Sequence, residues 1–116
     1  MSVDAFIADA IDRGAKHGLS SLAPLAQVVF AVTEAEVSCD MEGIDSLFEK
    51  YGYSSSALFA DAFRAIGASK VGAAFFDVAQ SDPPISELLL DELNDLVRER
   101  CGYGYENISS YVQKHA

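Results

Sequence analysis

The side chains of this chain that could do chemistry are its carboxylates, two histidines and two cysteines. His17 and His115 stand near predicted helix ends, and neither has a second histidine or cysteine at metal-ligand spacing. Asp40, Glu42 and Asp45 lack the glycine and the bidentate glutamate of a calcium loop. No phosphate-binding loop, GxSxG or HExxH motif occurs. We therefore predict no metal, no cofactor and no catalytic residue, and we do not expect an enzyme.

The cysteines and the first residues indicate the cellular compartment. Cys39 and Cys101 are far apart and belong to no CxxC pair, so we interpret them as reduced thiols; a disulfide between them is the less favoured alternative. Asp4, Asp9 and Asp12 stand where a signal peptide would carry basic residues. The apolar runs are shorter than the ~20 residues that cross a bilayer. We expect a cytoplasmic protein without membrane contact.

Acidic side chains dominate the charge of the chain. Eighteen acids face eight bases, for a formal charge of −10. The segments 34–49 and 77–95 contain no lysine or arginine. Glu87, Asp91 and Asp95 follow one another at i, i+4 and i+8, so on a helix they form a row with ~6 Å steps. This charge opposes binding to nucleic acid or an acidic membrane and attracts proteins that neutralise phosphates. A solvated face that only confers solubility is the alternative.

Apolar residues recur at helical spacing along the whole chain, and no segment alternates as a strand does. Glycine, serine and proline breaks separate the periodic segments. They place helices at 3–17, 24 to about 39, 44–51, about 58–66, about 71–79, 85 to about 100, and after the turn at 102–105. We predict an all-α protein, with residues 1–116 forming a single compact domain of six or seven short helices.

In two of these helices the spacing predicts which side chains face the core. In the second helix one face carries Leu25, Val28, Val29 and Val32, and Glu34 lies opposite, but Glu36 falls on the apolar face. A carboxylate there needs hydrogen-bond donors, and we favour a structural group that caps a neighbouring helix over a catalytic one. In the helix from residue 85, we expect Leu88 among the buried residues.

The stretch from Glu34 to Ala68 resembles a known family. Within this stretch the resemblance is carried by Glu36, Gly43, Phe48, Gly52 and the alanine-rich run Ala62-Phe63-Arg64-Ala65-Ile66-Gly67-Ala68. Near the C-terminus it is carried by Tyr111, Val112 and His115. The pattern resembles the helical domain of the DNA-mimic protein family, with a match from about Val28 to the C-terminus. Met41-Glu42-Gly43 stands where that family has Asn-Gly-Gly, which adds acid at this break.

The resemblance implies an acidic all-α protein that imitates duplex DNA and occupies the DNA-binding surface of a transcription factor. Our first hypothesis is therefore a partner that is a basic DNA-binding protein, with no direct binding to nucleic acid; a homodimer of the chain is compatible with it. The acids expected to bind the partner are Glu34, Asp40, Glu42, Asp45, Glu49, Glu87, Asp91 and Asp95. The hypothesis requires both acidic segments to share one face.

Two other hypotheses use some of the same residues. An immunity or antitoxin protein would cover the active site of a basic toxin with these acids, and it would bind one dedicated partner with slow dissociation. A small enzyme or ligand-binding domain would place Glu36 with Tyr51, Tyr53 or Tyr103 around a concave apolar pocket.

Overall fold

The computed structural model describes residues 2–115, which contain seven α-helices and no strand. The helices are α1 (Val3–His17), α2 (Pro24–Met41), α3 (Ile44–Tyr51), α4 (Ser56–Ala65), α5 (Ser69–Gln80), α6 (Glu87–Arg98) and α7 (Tyr105–His115). Short 3₁₀ turns connect α1 to α2 and α3 to α4. The prediction of an all-α, single compact domain is confirmed. In the described part of the chain, no helix combines the length and apolarity that a bilayer crossing needs.

Helix α2 lies at the centre of the molecule. It contacts α1, α3, α4, α6 and α7. Residues 29–32 are buried in succession, which happens only where a helix is covered on all sides. The expectation of one apolar face was therefore wrong, because Phe30 and Ala31 are as buried as Val29. Gly14 lets α1 approach, since a Cβ atom there would lie 2.2 Å from the Phe30 ring.

An aromatic stack fills the space between α4 and α5. The Phe75 ring lies between those of Phe59 and Phe63, with centroid distances of 5.5 and 5.4 Å. The two helices come close at Gly72, where a Cβ atom would lie 2.6 Å from Cγ of Arg64. These stacked rings are fully buried and make α4 and α5 a rigid support for the remaining helices.

Serine residues act differently at the starts of α4 and α6. The Ser86 hydroxyl accepts a hydrogen bond from the Leu89 N–H at 3.4 Å, so α6 begins two residues later than expected. At α4, Ser56 instead donates its hydroxyl to the Tyr53 carbonyl. The shifted start of α6 is accompanied by a different buried face, with Leu90 buried and Leu88 70% exposed.

Candidate partner-binding groove

A side-chain cap fixes α3 against α6. Helix α3 starts after Gly43, whose φ of +111° is a conformation that favours glycine. The first N–H groups of a helix lack partners within the helix. Here the Ile44 N–H donates to Oδ1 of Asn94 on α6, at 2.9 Å. The cap holds the start of α3 beside the middle of α6, and a groove lies between the two helices.

This groove, which we call the acidic groove, has a volume of about 830 Å³. Its carboxylates come from both acidic segments of the sequence, three from residues 42–49 and two from α6. They are Glu42, Asp45, Glu49, Glu87 and Asp91. All five residues are exposed, and no lysine or arginine is among the residues that line the groove. Two segments that are separate in sequence thus contribute their charges to one concave surface.

Apolar side chains form the floor of the acidic groove. Ile44, Phe48 and Leu90 are buried beneath it, and Ile85 is half-buried at its edge. Tyr53 is 43% exposed and its ring centroid lies 4.8 Å from that of Phe48. In the sequence Tyr53 is a candidate only for a pocket around Glu36, and Ile44, Ile85 and Leu90 look like ordinary core positions.

The charges of the acidic groove are only partly explained by helix stability. Asp45 and Glu87 lie in the first turns of α3 and α6, where the helix dipole favours a negative charge. Glu49 lies near the C-terminal end of α3, where the dipole disfavours it. Asp91 follows Glu87 by four residues, and such like-charge pairs cost ~0.2–0.5 kcal/mol each. The charges of Glu49 and Asp91 therefore destabilise the helices that carry them.

Asp95 and Asp40 lie outside the acidic groove. They line a neighbouring groove of about 440 Å³, together with Arg98 and Glu99. Asp40 is bound by Arg100, whose Nη1 and Nη2 donate to its two carboxylate oxygens at 3.0 and 2.8 Å. These hydrogen bonds hold the pKa of Asp40 below its usual range. The charge of Asp40 is thus compensated, although Asp95 has no ion-pair partner among residues 2–115.

Glu34 ties α2 to α3 and does not face the acidic groove. Its carboxylate accepts a hydrogen bond from the Tyr51 hydroxyl at 2.7 Å and forms an ion pair with Lys50 at 3.1 Å. The Glu34 side chain is only 20% exposed. Burial, together with this hydrogen bond, raises the pKa of Tyr51 well above its usual range.

Glu36 is held by two side chains from the turn between α6 and α7. Its Oε2 atom accepts from the Tyr103 hydroxyl at 2.7 Å and from Nε of Arg100 at 3.0 Å. Burial first, and then the bond to Glu36, raise the pKa of Tyr103 well above its usual range. Glu36 therefore has the donors that its position demands, but they are side chains and not the N-terminus of a helix. We call Glu36, Asp40, Arg100 and Tyr103 the Arg100 cluster.

The three tyrosines of the ligand-pocket hypothesis do not surround a common cavity with Glu36. Tyr51 binds Glu34, Tyr103 binds Glu36, and Tyr53 lines the acidic groove. Glu36 lines neither the acidic groove nor the neighbouring groove with Asp40. This arrangement weighs against a site built on Glu36.

The cysteines and histidines form no cluster in the described part of the chain. Cys39 and Cys101 are both free, and burial raises the pKa of the Cys39 thiol to about 12, which keeps it protonated and poorly reactive. Both His17 and His115 are exposed. Within residues 2–115, no group of three or more His, Cys, Asp or Glu side chains has an arrangement that could hold a metal ion.

The alanine-rich run that carries the family resemblance lies in the packing of α4, away from the acidic groove. Phe63 and Ile66 are buried, and Gly67 takes a φ of +85° at the end of the helix. The Asn107 side chain of α7 donates to the Ile66 carbonyl at 2.9 Å, which fixes this turn. Core packing and turn geometry account for these residues. No protein-family model, curated protein or solved structure matches the chain.

Proposed function

We propose that this protein imitates the charge of duplex DNA, binds the basic surface of a DNA-binding protein of the transcription-factor type, and thereby excludes DNA from it. The observation that carries the proposal is the convergence of both acidic segments on the acidic groove. A site that neutralises phosphates with lysine and arginine is attracted by such a concentration of carboxylates. The proposal also agrees with the resemblance to DNA-mimic proteins.

The acids proposed to contact the partner are fewer than those that the sequence suggested. The five carboxylates of the acidic groove carry the contact, and Asp95 extends the row of α6 by one further step of ~6 Å. Glu34 and Asp40 are left out, because Lys50 and Arg100 already compensate their charges. Since the remaining charges are exposed, we expect partner binding to weaken as the salt concentration rises.

An immunity or antitoxin role is the second candidate, and the apolar floor of the acidic groove favours it. Tyr53 and Ile85 offer apolar surface that the sugar-phosphate backbone of DNA does not present. A partner that covers this surface would gain binding that salt does not screen. A single toxin that resists elution by salt would support this role over imitation of DNA.

The experiment that tests the proposal compares three immobilised baits in a native lysate. One is the unchanged protein. The second, the groove variant, is Asp45→Asn, Glu49→Gln, Glu87→Gln and Asp91→Asn. The third, the surface control, removes four exposed acids elsewhere: Asp61→Asn, Asp77→Asn, Glu92→Gln and Glu106→Gln. Both variants lose four of the eighteen acids, so their net charges are equal.

We expect the unchanged protein and the surface control to retain a basic DNA-binding protein that duplex DNA releases. The groove variant should not retain it, because the charges that attract it are gone. Equal retention on all three baits would overturn the proposal, since the groove acids would then contribute nothing to binding. Equal loss of retention on both variants would overturn it as well, since net charge alone would then explain binding. Failure of duplex DNA to release the retained protein would overturn the imitation of DNA.

A further inference from the structure

We infer that the segment of the partner that enters the acidic groove is an amphipathic cationic helix, which places an apolar side chain on the groove floor between its basic residues. This inference rests on the proposed function, which makes the acidic groove the partner-binding site, and it adds an apolar contact to those that imitation of the DNA backbone supplies. It is carried by the joint presence of the open apolar floor and the surrounding carboxylates.

Part of the surface that lines the acidic groove is apolar, and recognition of charge alone does not use this part. Tyr53 is 43% exposed, Ile85 is half-buried, and both lie beside the buried side chains of Phe48 and Leu90. Removing such surface from water favours association without any dependence on salt. The partner segment therefore carries an apolar group that reaches this floor.

The carboxylates stand on both sides of this floor. Glu42, Asp45 and Glu49 come from the side of α3, while Glu87 and Asp91 come from α6. Lysine and arginine place their apolar stems along apolar surface and keep their charged ends at the rim. A segment with basic residues on both sides of an apolar one thus complements the groove in charge and in polarity.

The walls of the groove favour a helix over an extended peptide as the occupant. One way for an extended peptide to gain affinity is to add a strand to the edge of a sheet, and residues 2–115 contain no sheet. The eight residues of α3 and the twelve of α6 span ~12 and ~18 Å. A third helix of two or three turns can lie along them at the usual ~8–10 Å between axes.

The test uses two synthetic peptides of about 14 residues, or four helical turns, built from alanine and lysine. They carry equal charge and differ only at one central position, which is leucine in the first and serine in the second. Their affinities are measured by fluorescence anisotropy for the unchanged protein, the groove variant, and a floor variant, Tyr53→Ser with Ile85→Thr. Both floor residues are at least partly exposed, and far-UV circular dichroism checks that the variant is folded.

We expect the leucine peptide to bind the unchanged protein about ten-fold more tightly than the serine peptide, and the floor variant to bind both equally. The groove variant should bind neither. Equal affinities of the two peptides for the unchanged protein would overturn the inference while leaving the proposed function intact, provided that both still require the groove acids. If the unchanged protein binds neither peptide, the inference is also overturned. The proposed function is tested separately, by whether duplex DNA releases the protein retained from the lysate.

Discussion

Two acidic regions of this molecule differ in how their charges are balanced. On α2, the carboxylates of Glu34, Glu36 and Asp40 each accept bonds from basic or tyrosine side chains. In the acidic groove, none of the five carboxylates has an ion-pair partner among the described residues. The acids of α2 join this helix to its neighbours, whereas the acids of the groove are available for contacts with another molecule. The two regions therefore differ in whether their acids are paired, and under the proposed function the unpaired acids bind the partner.

The two regions also have opposite effects on stability. The Arg100 cluster stabilises the fold by joining α2 to the turn after α6. Its bonds outweigh the backbone strain of Arg100, whose φ of +51° costs a non-glycine residue of order 1–3 kcal/mol. In the acidic groove, like charges four residues apart weaken both helices. Departures from the rules of local stability are typical of functional sites.

The largest expected change in stability follows from Arg100→Met. This substitution keeps the apolar stem but leaves Glu36 and Asp40 without their cation, and Arg100 is 33% exposed. We expect a loss of about 2–3 kcal/mol in the free energy of unfolding, below the full cost of breaking a buried pair. Urea denaturation at neutral pH measures it.

Arg98→Met is the matched control for that substitution. Arg98 is exposed at the end of α6 and forms no ion pair within residues 2–115. Its replacement should change the unfolding free energy by at most about 0.5 kcal/mol. Equal effects of the two substitutions would contradict a stabilising role of the Arg100 cluster.

The second prediction concerns Tyr103→Phe, which removes the hydrogen bond to Glu36. We expect a loss of about 1–2 kcal/mol in the free energy of unfolding at neutral pH. In the folded protein the pKa of Tyr103 is raised above its ordinary 10.0. The unfolded chain therefore loses this proton first, and the stability present below pH 10 declines as the pH rises.

Urea denaturation between neutral pH and pH 11 checks this prediction. Above pH 10 the free energy of unfolding should decline less steeply in Tyr103→Phe, because this variant lacks the titrating hydroxyl of Tyr103. Tyr53→Phe is the control, since the Tyr53 hydroxyl has no hydrogen-bond partner in the described structure, and it should leave stability at neutral pH unchanged. Parallel pH curves for the unchanged protein and Tyr103→Phe would argue against the assigned bond.

The smallest expected change in the free energy of unfolding is an increase. Glu49→Gln with Asp91→Asn removes the like-charge pairs 45/49, 87/91 and 91/95 and retains the favourable first-turn acids Asp45 and Glu87. We expect a gain of about 0.6–1.5 kcal/mol in the free energy of unfolding at low ionic strength, from three such pairs. The gain should shrink in 1 M salt, where the Debye length is ~3 Å. A loss of stability would mean that these charges have structural partners.

The fold was largely predictable because periodicity and breaks are local features. The bounds of α1 and α3 agree with the sequence prediction, and each of these helices ends at a glycine, Gly18 or Gly52. The burial of α2 on all sides was not predictable, since it depends on how many helices surround it. Leu88 was misplaced because leucines at 88–90 allow more than one phase of the helix, and tertiary packing selects Leu90.

The site was predictable only in its residue types. The sequence identifies the acids, but Arg100 lies sixty residues from Asp40, and Tyr103 lies sixty-seven from Glu36. No local pattern indicates which carboxylates will find such distant partners. The convergence of residues 42–49 with α6 depends in the same way on the cap between Asn94 and Ile44, fifty residues apart.

The central claim, that the unpaired acids of the groove compete with DNA, is tested most directly by displacement. Labelled duplex DNA is bound to the basic protein retained from the lysate, and its release is followed by fluorescence anisotropy as the acidic protein is added. We predict release by the unchanged protein and the surface control at similar concentrations, and at least about ten-fold weaker release by the groove variant. Equal release by the groove variant would contradict the account.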